Sequence, residues 1–172
     1  MPEAAAYYLL VVSDREALGW ILDSQRAAFP PSRRKTPSHL NINDRLVIYT
    51  TRGCFRNPTR DRGRLVAQAR VRSSEAVLDS PIQFGERSFV RGCDLEIASL
   101  APLDSGPVLA DLVTRLQTFP TSWATHIRRT LVPLNDHDFT VLTDAIAAVA
   151  APRGSAIQPY LDRARPPIAK AN

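Results

Sequence analysis

Short apolar runs interspersed with three helical periodicities predict a mixed α+β domain. Tyr7 to Val12 is a run of aromatic, leucine and β-branched residues closed by Ser13-Asp14, the pattern of a buried strand feeding a helix N-terminus. Ser13 and Glu16 have the spacing of a capping box, in which each side chain satisfies a backbone N–H that the helix leaves unpaired. Leu18, Ile21, Leu22, Gln25 and Ala28 then recur at helical spacing, so the helix is expected to reach about Ala28 before Pro30-Pro31 stops it. Trp20 falls off that stripe and reads as packing against a neighbouring loop, outside any site.

The segment from Pro30 to Ile42 carries prolines and the basic triplet Arg33-Arg34-Lys35 with no apolar period, so it reads as a loop. Asn43-Asp44 turns the chain into a second buried strand, Leu46 to Tyr49. Thr50 to Gly63 is an Arg-rich loop too long for a simple hairpin turn, a kind of loop that tends to be functional. Leu65, Ala67, Ala69 and Val71 alternate with more polar neighbours as a strand with one face in the core. Phe84 to Phe89 reads as a hairpin tip, and Asp94 to Leu100 as a further strand ended by Pro102.

Two more helices follow from the pattern. Pro107 opens a short one whose stripe is Val108, Leu109, Leu112, Val113 and Leu116. Asn135 caps another, with Phe139, Leu142, Ile146 and Val149 on one side and Asp136 and Asp138 near its positive end. Residues 152–172 are Pro-rich and basic without periodicity, and read as a loosely held tail after a domain spanning 1–151. The expected architecture is α+β, a small mixed β-barrel flanked by helices.

Composition narrows the function classes. At 172 residues and 44% hydrophobic, the chain can bury one sizeable core. No apolar run is long enough to span a bilayer and no signal-peptide pattern opens the sequence, so a cytoplasmic protein with no membrane partner is expected. Cys54 and Cys93 lie far apart with no CxxC or clustered histidine, so neither a zinc site nor a disulfide framework is indicated, and no cofactor motif is present. The net charge is +5, yet from Arg33 to Arg72 eleven basic residues meet only Asp44 and Asp61, a local +9. That is the footprint of a surface meeting a polyanion, or of a solvated face in an Arg-rich composition.

The order strand, helix, Pro/basic loop, Asn43-Asp44-Arg45-Leu46-Val47-Ile48-Tyr49 strand and Gly63-Arg64-Leu65-Val66-Ala67-Gln68-Ala69 resembles the EVE domain family of PUA-like barrels. Trp123 followed by His126, and Pro133 ahead of Asp136-x-Asp138-Phe139, match the C-terminal half of that family; the resemblance covers residues 7–150. EVE domains are similar in fold to YTH and ASCH domains, and members of this superfamily bind RNA or modified nucleobases in a pocket at the barrel mouth. The resemblance therefore implies a module that binds nucleic acid or a modified nucleobase by stacking the base on aromatic rings and reading its edge with a few polar groups.

In this sequence Trp123 is the candidate stacking platform, Tyr49 stands at a strand end, and Ser13, Thr51 and His126 are short polar readers. Arg52 and Arg56 are positioned for flanking phosphates, with Arg128 a further cation, and Phe29 or Phe55 would have to supply a second wall. Each has a plainer reading: Trp123 as a plug for the barrel end, Tyr49 as core, Ser13 as the cap, His126 as a structural histidine. Two rival classes stand beside the binding module. One is an ASCH-like ribonuclease drawing on His39, His126, Arg52 and Arg128, which rests on fold analogy since no phosphate loop or nucleophile motif is present. The other is a basic surface that docks an acidic protein and has no ligand pocket.

Overall fold

The computed structural model describes residues 4–30, 40–57, 61–119 and 123–164, the side chain of His126 excepted. β1 (Tyr7–Val12) and β3 (Arg45–Thr50) lie side by side and parallel, Tyr7 opposite Arg45 and Val12 opposite Thr50. Parallel neighbours require a crossover, and the intervening chain holds α1 (Arg15–Ser24) and β2 (Arg26–Phe29). Three further strands, β4 (Arg64–Val71), β5 (Ala76–Phe84) and β6 (Arg87–Glu96), are joined by antiparallel pairing, as is β8 (Leu131–Leu134) with β1.

The main sheet runs β2-β6-β4-β3-β1-β8, with β5 paired to β6 off that path. It curls as a half-barrel: β2 and β8 end the path without pairing to each other, so among the described residues the barrel expected from the sequence is not closed. A second, two-stranded ribbon joins β7 (Ser99–Leu100) to β9 (Ala151–Pro152). The remaining helices are α2 (Leu109–Leu112), α3 (Asp136–Ala147) and α4 (Arg153–Ala164). Among the described residues no helix is long and apolar enough to cross a membrane.

Both faces of the sheet are covered, which explains the unbroken apolar run of β3. Side chains alternate along a strand, so Leu46 and Ile48 join the core beneath α1 and α4, while Val47 and Tyr49 join the core beneath α3. Asp44 is buried ahead of β3, and its carboxylate accepts from the Ala6 and Asn41 backbone N–H groups at 2.9 and 2.8 Å, tying the starts of β1 and β3 together. Asp138 is fully buried at the start of α3 and accepts from Gln117 N, Thr118 N and the Thr118 hydroxyl, which anchors the stretch after α2.

Four local expectations are corrected. The capping oxygen of α1 belongs to Asp14, which accepts from Glu16 N and Ala17 N at 2.8 and 3.1 Å, so the Ser13 capping box does not form. The helix stops at Ser24 because Gln25 turns left-handed (φ 52°), its N–H bonded to Ile21 O; Arg26–Phe29 then pairs with β6 instead of continuing the helix. The helix expected after Pro107 is a single turn, α2, followed by the tighter 3₁₀ turn Val113–Arg115. Within the expected tail, Arg153–Ala164 is helix, with Ala156, Tyr160 and Ala164 buried.

α4 lies against α1 at a close approach. A Cβ built on Gly19 of α1 would fall 2.6 Å from the Ala164 Cβ. Gly19→Val is therefore expected to push the helices apart and lower stability by about 1–3 kcal/mol, the usual cost of overpacking, read as a lower denaturant midpoint at unchanged slope.

Candidate functional site

β1 ends where α1 begins, and the backbone there is gripped on both sides. Val11 N donates to Thr130 O at 2.8 Å, and Thr51 N donates to Val12 O at 3.1 Å, so the loops after β3 and before β8 stand beside the strand end. The β5–β6 hairpin closes a third side. Between these walls is a hollow of about 300 Å³, at the lower end of the range of about 300–1,000 Å³ usual for small-ligand sites.

One wall of the hollow is aromatic. Trp20 of α1 meets Phe84 edge-on, ring centroids 5.9 Å apart at 65°, and Phe84 meets Phe89 in the same way at 5.2 Å and 72°. The Arg26 guanidinium sits 5.6 Å from the Trp20 ring and that of Arg87 5.4 Å from Phe89, cation–π distances that fix the rings' orientation. Arg87, Arg128 and Arg129 stand exposed on the rim, and the Ser13 and Thr51 side chains add hydroxyls. Asp14 also lines the hollow, with its carboxylate engaged by the α1 cap. The arrangement can hold a flat ring, bond to its edge and neutralise an anion at the entrance.

A second hollow, about 590 Å³, lies among Tyr49, Thr51, Arg52, Gly63 and Trp123. Tyr49 is buried, and burial pushes its hydroxyl up to about 12, with Arg52 pulling the other way. Only glycine fits beneath it, since a Cβ on Gly63 would fall 1.9 Å from the Tyr49 hydroxyl. Trp123 is half-buried and packs against the core beneath α3.

A third hollow of about 260 Å³ borders Thr51, Phe55 and Arg64. Its neighbourhood is a structural clamp: Arg163 of α4 stacks 4.3 Å over Phe55 and pairs with Asp61 at 3.2 Å and Asp104 at 2.9 Å. Arg64 donates to Gly106 O at 2.7 Å.

The residues singled out in the sequence are thus shared among neighbouring hollows. Ser13, Thr51 and Arg128 line the first, Tyr49, Thr51, Arg52 and Trp123 the second, and Phe55 with Thr51 the third. Arg56 is exposed and lines none of the three, Phe29 is core, and the His126 side chain and His39 lie outside the described residues. Trp20, Phe84, Phe89 and Arg87 were missed; the one local signal was the off-stripe position of Trp20. Part of the basic segment is spent within the fold, Arg62 on Asp111 at 3.0 Å and Arg70 and Arg72 on Glu96 at 3.4 and 3.5 Å.

Among the described residues no three His, Cys, Asp or Glu side chains converge as a metal site. Cys54 and Cys93 are free and buried, and burial pushes both thiols up to about 12, with Asp14 and Asp61 adding to the effect at Cys54 and Glu75 and Asp94 at Cys93. Neither serves as a nucleophile at neutral pH. Each thiol holds its proton more tightly folded than unfolded, so stability is unaffected below the ordinary thiol range and falls as pH rises from about 9 towards about 12. Thiol alkylation at about pH 8 is expected to be negligible in the native protein and complete in denaturant, checked by mass.

No protein-family model matches the sequence, and no curated protein matches it. Among solved structures, the chain is similar to the NMR structure of Rpa0253 from Rhodopseudomonas palustris, a structural-genomics target, at 12% identity and a TM-score of 0.51. The match covers 84% of this chain and 95% of that one. At that identity the likeness shows the fold alone.

Proposed function

We propose that the protein is a PUA-like binding module that holds a nucleobase carrying a phosphate in the hollow between β1, α1 and the β5–β6 hairpin. The observation that carries this reading is the Trp20–Phe84–Phe89 wall beneath a rim of Arg87, Arg128 and Arg129. A base stacked on one aromatic ring gains about 1–3 kcal/mol irrespective of its identity, and the hydroxyls of Ser13 and Thr51 add edge contacts. An apolar wall accepts an added methyl group without stranding a polar partner, which favours a modified base. The resemblance of residues 7–150 to EVE domains supports the same ligand class.

The experiment is a thermal-shift screen against modified and unmodified nucleosides and their monophosphates. A ligand bound only by the folded state stabilises it by about 2.7 kcal/mol at a hundredfold excess over Kd. The expected result is a shift that is larger for the monophosphate than for the nucleoside and is reduced in Trp20→Ala. No shift with any of these compounds would contradict the reading.

A further inference from the structure

The second hollow abuts the first. Thr51 and Ile127 line both and form the ridge between them, and of the chain's two tryptophans Trp20 lines the first hollow and Trp123 the second. Both rings are half-buried. Arg128, next in sequence to Ile127, is exposed on the first side, and Arg52, next to Thr51, is exposed on the second.

The second hollow is also lined by Asp61 and Arg62, whose charges are paired with Arg163 and Asp111, while Gly63, Val108 and Ala110 keep the space beside Trp123 open to a flat group. Two ring-walled hollows divided by a ridge with an arginine on either side repeat the chemistry of a polynucleotide: flat base, anionic link, flat base. A double helix cannot supply it, because its bases are paired and stacked, whereas single-strand bases can be splayed apart.

Resting on the nucleobase reading of the first hollow, we propose that the site is bipartite and takes two successive nucleotides of a single strand. One base lies against Trp20 and the next against Trp123, and the phosphodiester crosses the Thr51–Ile127 ridge between Arg128 and Arg52. The natural ligand is then a dinucleotide or a longer single strand rather than a free nucleotide.

The two tryptophans make the test direct, because each single-tryptophan variant of the full chain reports one hollow while phenylalanine keeps a stacking ring. Trp123→Phe and Trp20→Phe are titrated with a nucleoside monophosphate and with ribo- and deoxyribo-dinucleotides, following tryptophan emission. The expected result is that the mononucleotide quenches Trp20 alone. At least one dinucleotide quenches both tryptophans and binds about tenfold or more tightly, the gain from a second stacked base. Dinucleotides that quench Trp20, leave Trp123 unchanged and bind no more tightly than the mononucleotide would overturn the bipartite site and leave the single-hollow reading standing. A mononucleotide that fails to quench Trp20 would overturn the single-hollow reading and the bipartite site with it.

Discussion

Replacing Trp20 with alanine is expected to weaken nucleoside monophosphate binding by roughly 5- to 150-fold, the loss of one base-stacking contact of about 1–3 kcal/mol. Phe84 at 5.9 Å and the Arg26 guanidinium at 5.6 Å both contact the ring, which also lines the hollow, so a bound base meets a surface already oriented. Because Trp20 also packs against the core beneath α1, the alanine variant is expected to melt somewhat lower. Trp20→Phe separates the two effects, since it keeps a stacking face and should retain most of the affinity. Calorimetric titration of both variants checks this; an alanine variant that binds as tightly as the parent would remove Trp20 from the site.

Deleting residues 153–172 is expected to abolish cooperative folding. Tyr160 is almost fully buried and donates to Ala101 O at 2.6 Å, and Ala164 meets Gly19 of α1. Arg153 donates to Leu22 O at 2.9 and 2.7 Å and to Asp23 O at 2.8 Å, satisfying carbonyls left open at the end of α1. Arg163 holds the loop after β3 through Asp61. Burial of a large aromatic costs about 3–5 kcal/mol to undo, a sizeable share of a typical total of about 5–15 kcal/mol before the arginine contacts are counted. Tyr160→Ala should take about 3–5 kcal/mol and Tyr160→Phe only about 1 kcal/mol, measured by denaturant unfolding. A truncated chain that melts within a few degrees of the parent would show α4 to be dispensable.

The strands β1, β3 and β4, the β5–β6 hairpin tip and the Asn135 cap of α3 were legible because each is written in a local pattern of period or capping chemistry. The end of α1 was not, because it is set from far away: Leu95 N donates to Gln25 O and Ile97 N to the Gln25 side chain. Four residues, Arg26 to Phe29, fit a helix or a strand equally well until β6 pairs with them. The buried stripe of α4 is Ala156, Tyr160 and Ala164, mostly small residues broken by Pro159, which hides its period.

The candidate site divided along the same line. Ser13, Thr51 and Arg128, named with the resemblance and its ribonuclease rival, fall on the first hollow, but the aromatic wall joins a helix residue to both strands of a hairpin, and no spacing in the sequence announces that meeting. The off-stripe Trp20 was explained as packing, and it does pack, against Phe84; the same contact makes it a wall of the hollow.

The most direct test of the central claim is a backbone and indole amide NMR titration of the full chain with nucleoside monophosphates. A nucleobase site in the first hollow predicts saturable shifts gathered on the Trp20 indole and on the amides of Ser13, Thr51, Phe84, Phe89 and Arg128, with the β7–β9 ribbon unmoved. Saturable shifts centred elsewhere, or none at millimolar ligand, would contradict it.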